Sequence, residues 1–238
     1  MPISTIVSSS SWPSQPSHQH QDHAKPDDPA AATARVAVVA CGALGANLRD
    51  VVNRTGIPVD VHCLPSLLHN RPERIAGEVE RMARELRSQG LVVAVAYADC
   101  GTYGALDEVC DRLGMARLAG LHCYDVFAGA DGVRRLFEEE PGTYLLTDFL
   151  IRSFRRSVIA ELGLDRHPEL RSDYFAHYRR VVWLAQSLSP ELAGQARQIA
   201  ELVGLPLVIV EVGTARFEQA LEQLVESARR PAGARSAR

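Results

Sequence analysis

From Val36 onward, short apolar runs rich in Val, Ile and Ala alternate with longer stretches whose apolar residues recur every third or fourth position. This alternation constrains the fold more than any other feature of the chain. Apolar runs of roughly four to eight residues bounded by Gly, Pro or Asp read as buried strands, and the periodic stretches between them as amphipathic helices. The expected strands are 35–40, 59–64, 91–98, 116–119, 143–146, 181–185 and 207–210. The expected helices are 44–53, 72–87, 105–113, 126–139, 149–162, 168–178, 190–203 and 217–228. Strands separated by helices imply parallel pairing through crossovers, hence an α/β, Rossmann-like, mostly parallel sheet with helices on both faces. Either one wide doubly wound sheet satisfies the pattern, or two lobes at about 35–148 and 179–228, with the helical interval 149–178 between them as connector.

Composition sets the remaining bounds. Residues 1–34 are rich in Ser, Pro, His and Gln without periodic apolar positions, and read as a disordered tail. Residues 229–238 read as a frayed end, leaving 35–228 as the α/β domain. A net charge of −3 gives no footprint for nucleic acid, and no apolar stretch reaches membrane-spanning length. Five cysteines at irregular spacing do not form a secreted disulfide framework. A cytoplasmic protein with free thiols, without nucleic-acid or membrane partners, is the expectation.

Three of those cysteines stand where an apolar run meets a turn: Cys41 before Gly42, Cys100 before Gly101, and Cys123 after His122. Carboxyl ends of parallel strands open onto one crevice, so three thiols distant in sequence can converge there on one metal centre. Thiolates suit zinc and iron–sulfur clusters. Free cysteine is also a common small core residue, the reading that fits Cys63 in a strand and Cys110 on a helix face. His122, Asp99 and Tyr103 are the candidate catalytic groups beside the thiols. His122 is read as a fourth ligand, a group behind the ligands, or a proton carrier. His69, Asn70 and Arg71 precede Pro72 at the start of a helix, where a polar or anionic substrate is well placed and where Asn70 also suits a plain helix cap. Asp148 is added to the substrate-binding set. Gly42-Ala43-Leu44-Gly45 lacks the full spacing of a dinucleotide-binding turn.

These segments resemble an uncharacterised prokaryotic family, domain of unknown function sixteen thirty-eight. The residues that carry the likeness are 40–44, Leu68-His69-Asn70-Arg71-Pro72, 97–104, His122-Cys123-Tyr124 with Phe127-Ala128-Gly129, 141–150, 163–170 and Leu184-Ala185-Gln186. The likeness spans roughly 36–210 and departs at Glu211-Val212-Gly213-Thr214, where a turn containing Gly and Tyr is expected. It implies no activity of its own; family members look associated with corrinoid-dependent methyl-transfer systems. The three-cysteine logic is also similar to that of quinolinate synthase, by analogy alone.

Three functions follow as expectations. The first is a metalloprotein whose Cys41, Cys100 and Cys123 hold an iron–sulfur cluster with an open site, or zinc, to act on or carry a small molecule. The second is an accessory protein for a corrinoid or methyltransferase component, with a partner face around 165–168, Tyr174 and Tyr178. The third is a thiol or redox enzyme with Cys100 as nucleophile and Cys41 or Cys123 resolving.

Overall fold

The computed structural model describes residues 5–8 and 35–230. The tail expectations for 1–4, 9–34 and 231–238 lie outside the described residues. In chain order the elements are β1 Thr5–Ser8, β2 Val36–Cys41, α1 Gly45–Thr55, β3 Val59–Leu64, α2 Ile75–Ser88, β4 Val92–Ala96, α3 Ala105–Arg112, β5 Ala116–Arg117, α4 Cys123–Ala128 and α5 Ala130–Glu139. They continue with β6 Thr143–Thr147, α6 Asp148–Phe154, α7 Arg171–Phe175, β7 Arg180–Ala185, α8 Pro190–Val203, β8 Leu207–Glu211 and α9 Ala215–Arg229. Two four-stranded sheets result, in the orders β3-β2-β4-β5 and β1-β8-β7-β6, with every pairing parallel. The fold is the expected α/β, Rossmann-like class.

The chain divides between Cys123 and Tyr124 and again between Arg216 and Phe217. The first unit holds the β3-β2-β4-β5 sheet and takes in the C-terminal helix from Phe217; the second holds the β1-β8-β7-β6 sheet. This corrects the expected lobes. β6 pairs with β7, so it belongs to the second unit instead of closing the first. The helices after it are no connector: Ile151, Phe154 and Phe175 share a core with Trp183 of β7. Apolar periodicity reveals a helix's buried face without revealing which strand it covers.

In the first unit, all six residues of β2 are fully buried. A central strand covered on both faces needs this unbroken apolar run, and each fully buried Val contributes about 1.5–3 kcal/mol of transfer free energy. α1 buries Leu48 and Val51 and ends at Gly56, whose φ of 72° accepts the left-handed turn. In the second unit, β7 alternates. Val181, Trp183 and Ala185 face a core completed by α6 and α8, while Val182 and Leu184 face Val133 and Leu136 of α5.

Local departures have local causes. Thr5–Ser8, inside the segment read as tail, pairs with β8 as an edge strand; Ile6 and Val7 are good strand formers in too short a run to show a period. The expected helix 126–139 is two helices, broken at Gly129 with φ 75°. The expected helix 149–162 changes after Phe154 to a π-helical segment, Arg155–Ala160. The entry to α2 is a short 3₁₀ turn, Pro72–Arg74, with Pro72 at its first position.

Candidate functional site

In the first sheet, β3 lies on one side of β2 and β4 on the other, so the strand order reverses between β2 and β4. Ligands of open parallel sheets bind outside the strand carboxyl ends at such a reversal. The register pairs Ala40 with Ala96, and the residues that follow are Cys41 and Tyr97. The segment after β3, Ser66–Asn70, carries His69, and the chain after β5 leads to His122 and Cys123.

Cys41 and His69 meet here. The Cys41 Sγ lies 3.4 Å from His69 Nδ1 and 4.0 Å from Nε2, and the Ala43 N–H donates to the same sulfur at 3.3 Å. Gly42 makes the approach possible: a Cβ there would stand 2.5 Å from the Leu64 carbonyl oxygen and 2.8 Å from the Ser66 nitrogen. Gly42→Ala should therefore destabilise the first unit by about 2 kcal/mol, the usual scale of overpacking against backbone. Urea unfolding checks this, and a neutral result would show that the 64–66 turn yields freely. The His69 ring runs nearly parallel to that of Tyr97, with centroids 6.4 Å apart and planes 19° apart.

Burial governs the charge state. It pushes the Cys41 thiol up to about 12, against the Ala43 N–H and aided by the nearby Cys100 charge. It pushes Cys100 up to about 11, against a hydrogen bond from the Cys123 backbone. Burial raises the Tyr97 phenol too, with the Cys41 charge adding to the effect. It lowers His69, which a hydrogen bond with the Ser66 backbone opposes and the charge of His122 reinforces. At neutral pH these four side chains are uncharged: two thiols, an imidazole and a phenol.

The loop 99–104 sets Cys100 in place. Cys100 and Tyr103 have φ of 52° and 51°, in the left-handed region that residues other than glycine avoid. Such positions cost on the order of 1–3 kcal/mol each. Asp99 offsets this by accepting from Thr102 Oγ1 at 2.7 Å and from the N–H groups of Gly104, Gly101 and Tyr103 at 3.0–3.2 Å. Those bonds outweigh its partial burial and hold its carboxyl below the usual carboxylate range. The Asp99 and Cys100 N–H groups in turn donate to the carbonyls of Gly120 and Leu121, tying the loop to the segment that carries His122 and Cys123.

The expected site residues thus separate. Cys41, His69 and Cys100 come to one rim. Cys123, half-buried, starts α4 and reaches Cys100 through its backbone; His122 is exposed, within electrostatic reach of His69. Asp99 is the staple of its loop, so its carboxylate is spent on backbone and Thr102. Tyr103 is 95% exposed at the loop tip, and Asn70 and Arg71 are exposed beside His69. Asp148 belongs to the second unit, where its carboxylate accepts from Trp183 Nε1 and from the Gln186 and Ser187 N–H groups. Cys63 stands in β3 and Cys110 on the buried face of α3. Tyr97 was hidden in the apolar run Val-Ala-Val-Ala-Tyr-Ala, where it passes for core; its hydroxyl, one place beyond a strand end, was the available signal. Among the described residues, no group of three or more His, Cys, Asp or Glu side chains is arranged to hold a metal ion. Among them, too, no helix is long and apolar enough to cross a membrane.

A family model described as protein of unknown function (DUF1638) matches residues 63–221. The chain belongs to this family. The matched segment of the DUF1638 chain includes His69, Tyr97, Cys100 and Cys123, whereas Cys41 lies before it. No curated protein and no solved structure matches the chain.

Proposed function

We propose that this DUF1638 protein binds a thiophilic metal centre, zinc or an iron–sulfur cluster, at the carboxyl edge of its first sheet, and uses it to act on or carry a small molecule. The observation that carries this reading is the meeting of Cys41 and His69, 28 positions apart, at the strand-order reversal, with Cys100 in electrostatic reach. Sulfur and imidazole nitrogen suit these metals, and a cation would compensate the burial that keeps both thiols protonated. Cys123 and His122 are the further candidates for its coordination. Because no three-donor group is preassembled among the described residues, these side chains must gather about the Cys41–His69 pair on binding. A bound metal supplies a Lewis acid or a template for substrate. The corrinoid methyltransferase component proposed as partner is supported by the family resemblance alone.

Metal and sulfide analysis with a visible spectrum, after anaerobic isolation with iron and zinc supplied, tests the reading. Cys41→Ser, Cys100→Ser and His69→Gln should lose the metal. His122→Gln should weaken it by about 10–100-fold if that side chain only supports a ligand. A wild-type protein free of metal, or variants that all retain it, would remove the metal reading.

One observation favours a second reading, thiol chemistry. The Ala43 N–H hydrogen bond reaches Cys41 sulfur just before α1, and the His69 imidazole in contact is placed to take the thiol proton once the burial that raises Cys41 and lowers His69 is relieved. On this reading Cys41, more than Cys100, is the reactive thiol. Cys41 is fully buried, so iodoacetamide should label it only as the site opens, and His69→Gln should slow that labelling without changing that of the partly exposed Cys63 and Cys123.

A further inference from the structure

We infer that Tyr97 is a ligand-binding residue of this rim, its hydroxyl held to donate one hydrogen bond to an oxygen or nitrogen lone pair on the small molecule bound beside Cys41 and His69. The inference rests on the rim being a ligand site, and holds with or without a metal there.

Tyr97 is fully buried, and its Oη makes no hydrogen bond. Buried tyrosine hydroxyls ordinarily find a partner, because an unpaired one bears its full desolvation cost. The groups that influence it are thiols, which accept only weakly. The Cys41 sulfur touches the phenol as a weak hydrogen-bonding neighbour outside good geometry, because a neutral thiol is a poor acceptor. Cys100 and Cys63, the other groups that influence the phenol, are thiols as well. A position that needed only volume between Ala96 and Ala98 would be served by phenylalanine without this cost. The unpaired donor stands beside the Cys41–His69 contact, one residue past the end of β4 at the strand-order reversal. What satisfies it comes from outside the fold. The class follows from the hydroxyl's role: a small molecule presenting a carbonyl, a carboxylate or a comparable lone pair. A ligand that carries only donors, or only carbon, leaves the phenol unpaired.

Tyr97→Phe in the full chain separates this role from a structural one. Without ligand, the variant should melt at the wild-type temperature or up to about 4 °C higher, since it loses only an unsatisfied group. A fall of more than about 4 °C would mean that the hydroxyl has a partner in the fold, and would overturn the inference. Azide, a small anion with nitrogen lone pairs, is the binding probe, titrated against cobalt-loaded protein by visible absorption. Where cobalt does not load, azide binding is read by isothermal calorimetry instead. Tyr97→Phe should need about ten times more azide at unchanged cobalt content, the worth of one hydrogen bond. Equal azide affinity in the two proteins, or no azide effect on the wild type, overturns the assignment. Failure of cobalt to load bears on the metal reading alone.

Discussion

Asp148→Ala is expected to destabilise the second unit by about 3–5 kcal/mol, the largest effect of any single substitution considered, because it strands three donors at once. The Asp148 carboxylate, 2% exposed, accepts from Trp183 Nε1 at 2.8 Å, from the Gln186 N–H at 3.1 Å and from the Ser187 N–H at 2.9 Å. The Asp148 N–H returns a bond to Gln186 Oε1 at 2.8 Å, and the Gln186 amide donates to the Leu184 carbonyl. The start of α6 is thereby fastened to the end of β7. Burial raises the carboxyl above its ordinary range, with the three donors opposing the shift. Alanine keeps the burial and removes the acceptor. Urea unfolding followed by Trp183 fluorescence and far-ultraviolet dichroism checks the size. Trp183→Phe, which removes a single donor, sets the scale of the indole contact. A loss below about 1 kcal/mol for Asp148→Ala would mean that water replaces the carboxylate.

Alkaline conditions should weaken the first unit as strongly. Burial pushes Cys41 and Cys110 up to about 12 and Cys100 up to about 11, against 9.0 for an unperturbed thiol. For an acid whose pKa is raised by folding, the unfolded chain loses its proton first, so stability falls as pH rises above the unfolded value. The window therefore runs from pH about 9 to about 11–12, with nothing lost below it. One pKa unit is worth about 1.4 kcal/mol per group, so the three thiols together should remove roughly 2–4 kcal/mol per pH unit. Urea midpoints measured from pH 8 to 11 show the slope. Cys110→Ala should reduce it without touching the proposed site, and metal at Cys41 and Cys100 should flatten it further, because bound thiolates no longer prefer the unfolded chain. Stability unchanged to pH 11 would place these thiols in contact with water.

The β-α order was legible from Val36 onward because buried parallel strands must be continuous apolar runs and helices must keep one apolar stripe. Strand partnership was not. Nothing in Thr143–Thr147 or in the helices after it states that their neighbour is β7, which is why the lobe boundary was expected after 148. The rim was half legible. Cys41, Cys100 and Cys123 stood out as polarizable residues at strand exits, and His69 with Asn70 and Arg71 as a polar cluster at a helix entry. Asp99 looked like chemistry because a carboxylate beside a thiol is suggestive. Its use as a loop staple depends on four donors converging in space, one of them a side chain, which spacing alone does not display. Tyr97 was overlooked for the converse reason: an aromatic residue in an apolar run is ordinary until its hydroxyl is found without a partner.

The division at 123/124 and 216/217 has a consequence for how the chain is made. The main body of the first unit precedes that of the second and is finished after it by α9, which buries Phe217, Leu221, Leu224 and Val225. The second unit likewise recruits Thr5–Ser8 from the opposite end of the chain to pair with β8. The first unit thus awaits a helix synthesised after its main body, the second must recover a strand synthesised long before its own, and those long loop closures slow folding. A ribosome releases α9 only after every strand among the described residues has emerged, leaving the cysteine-bearing sheet incompletely covered until that helix is made. Cutting the gene at 123/124 would accordingly yield two fragments, each lacking a part that the other now carries.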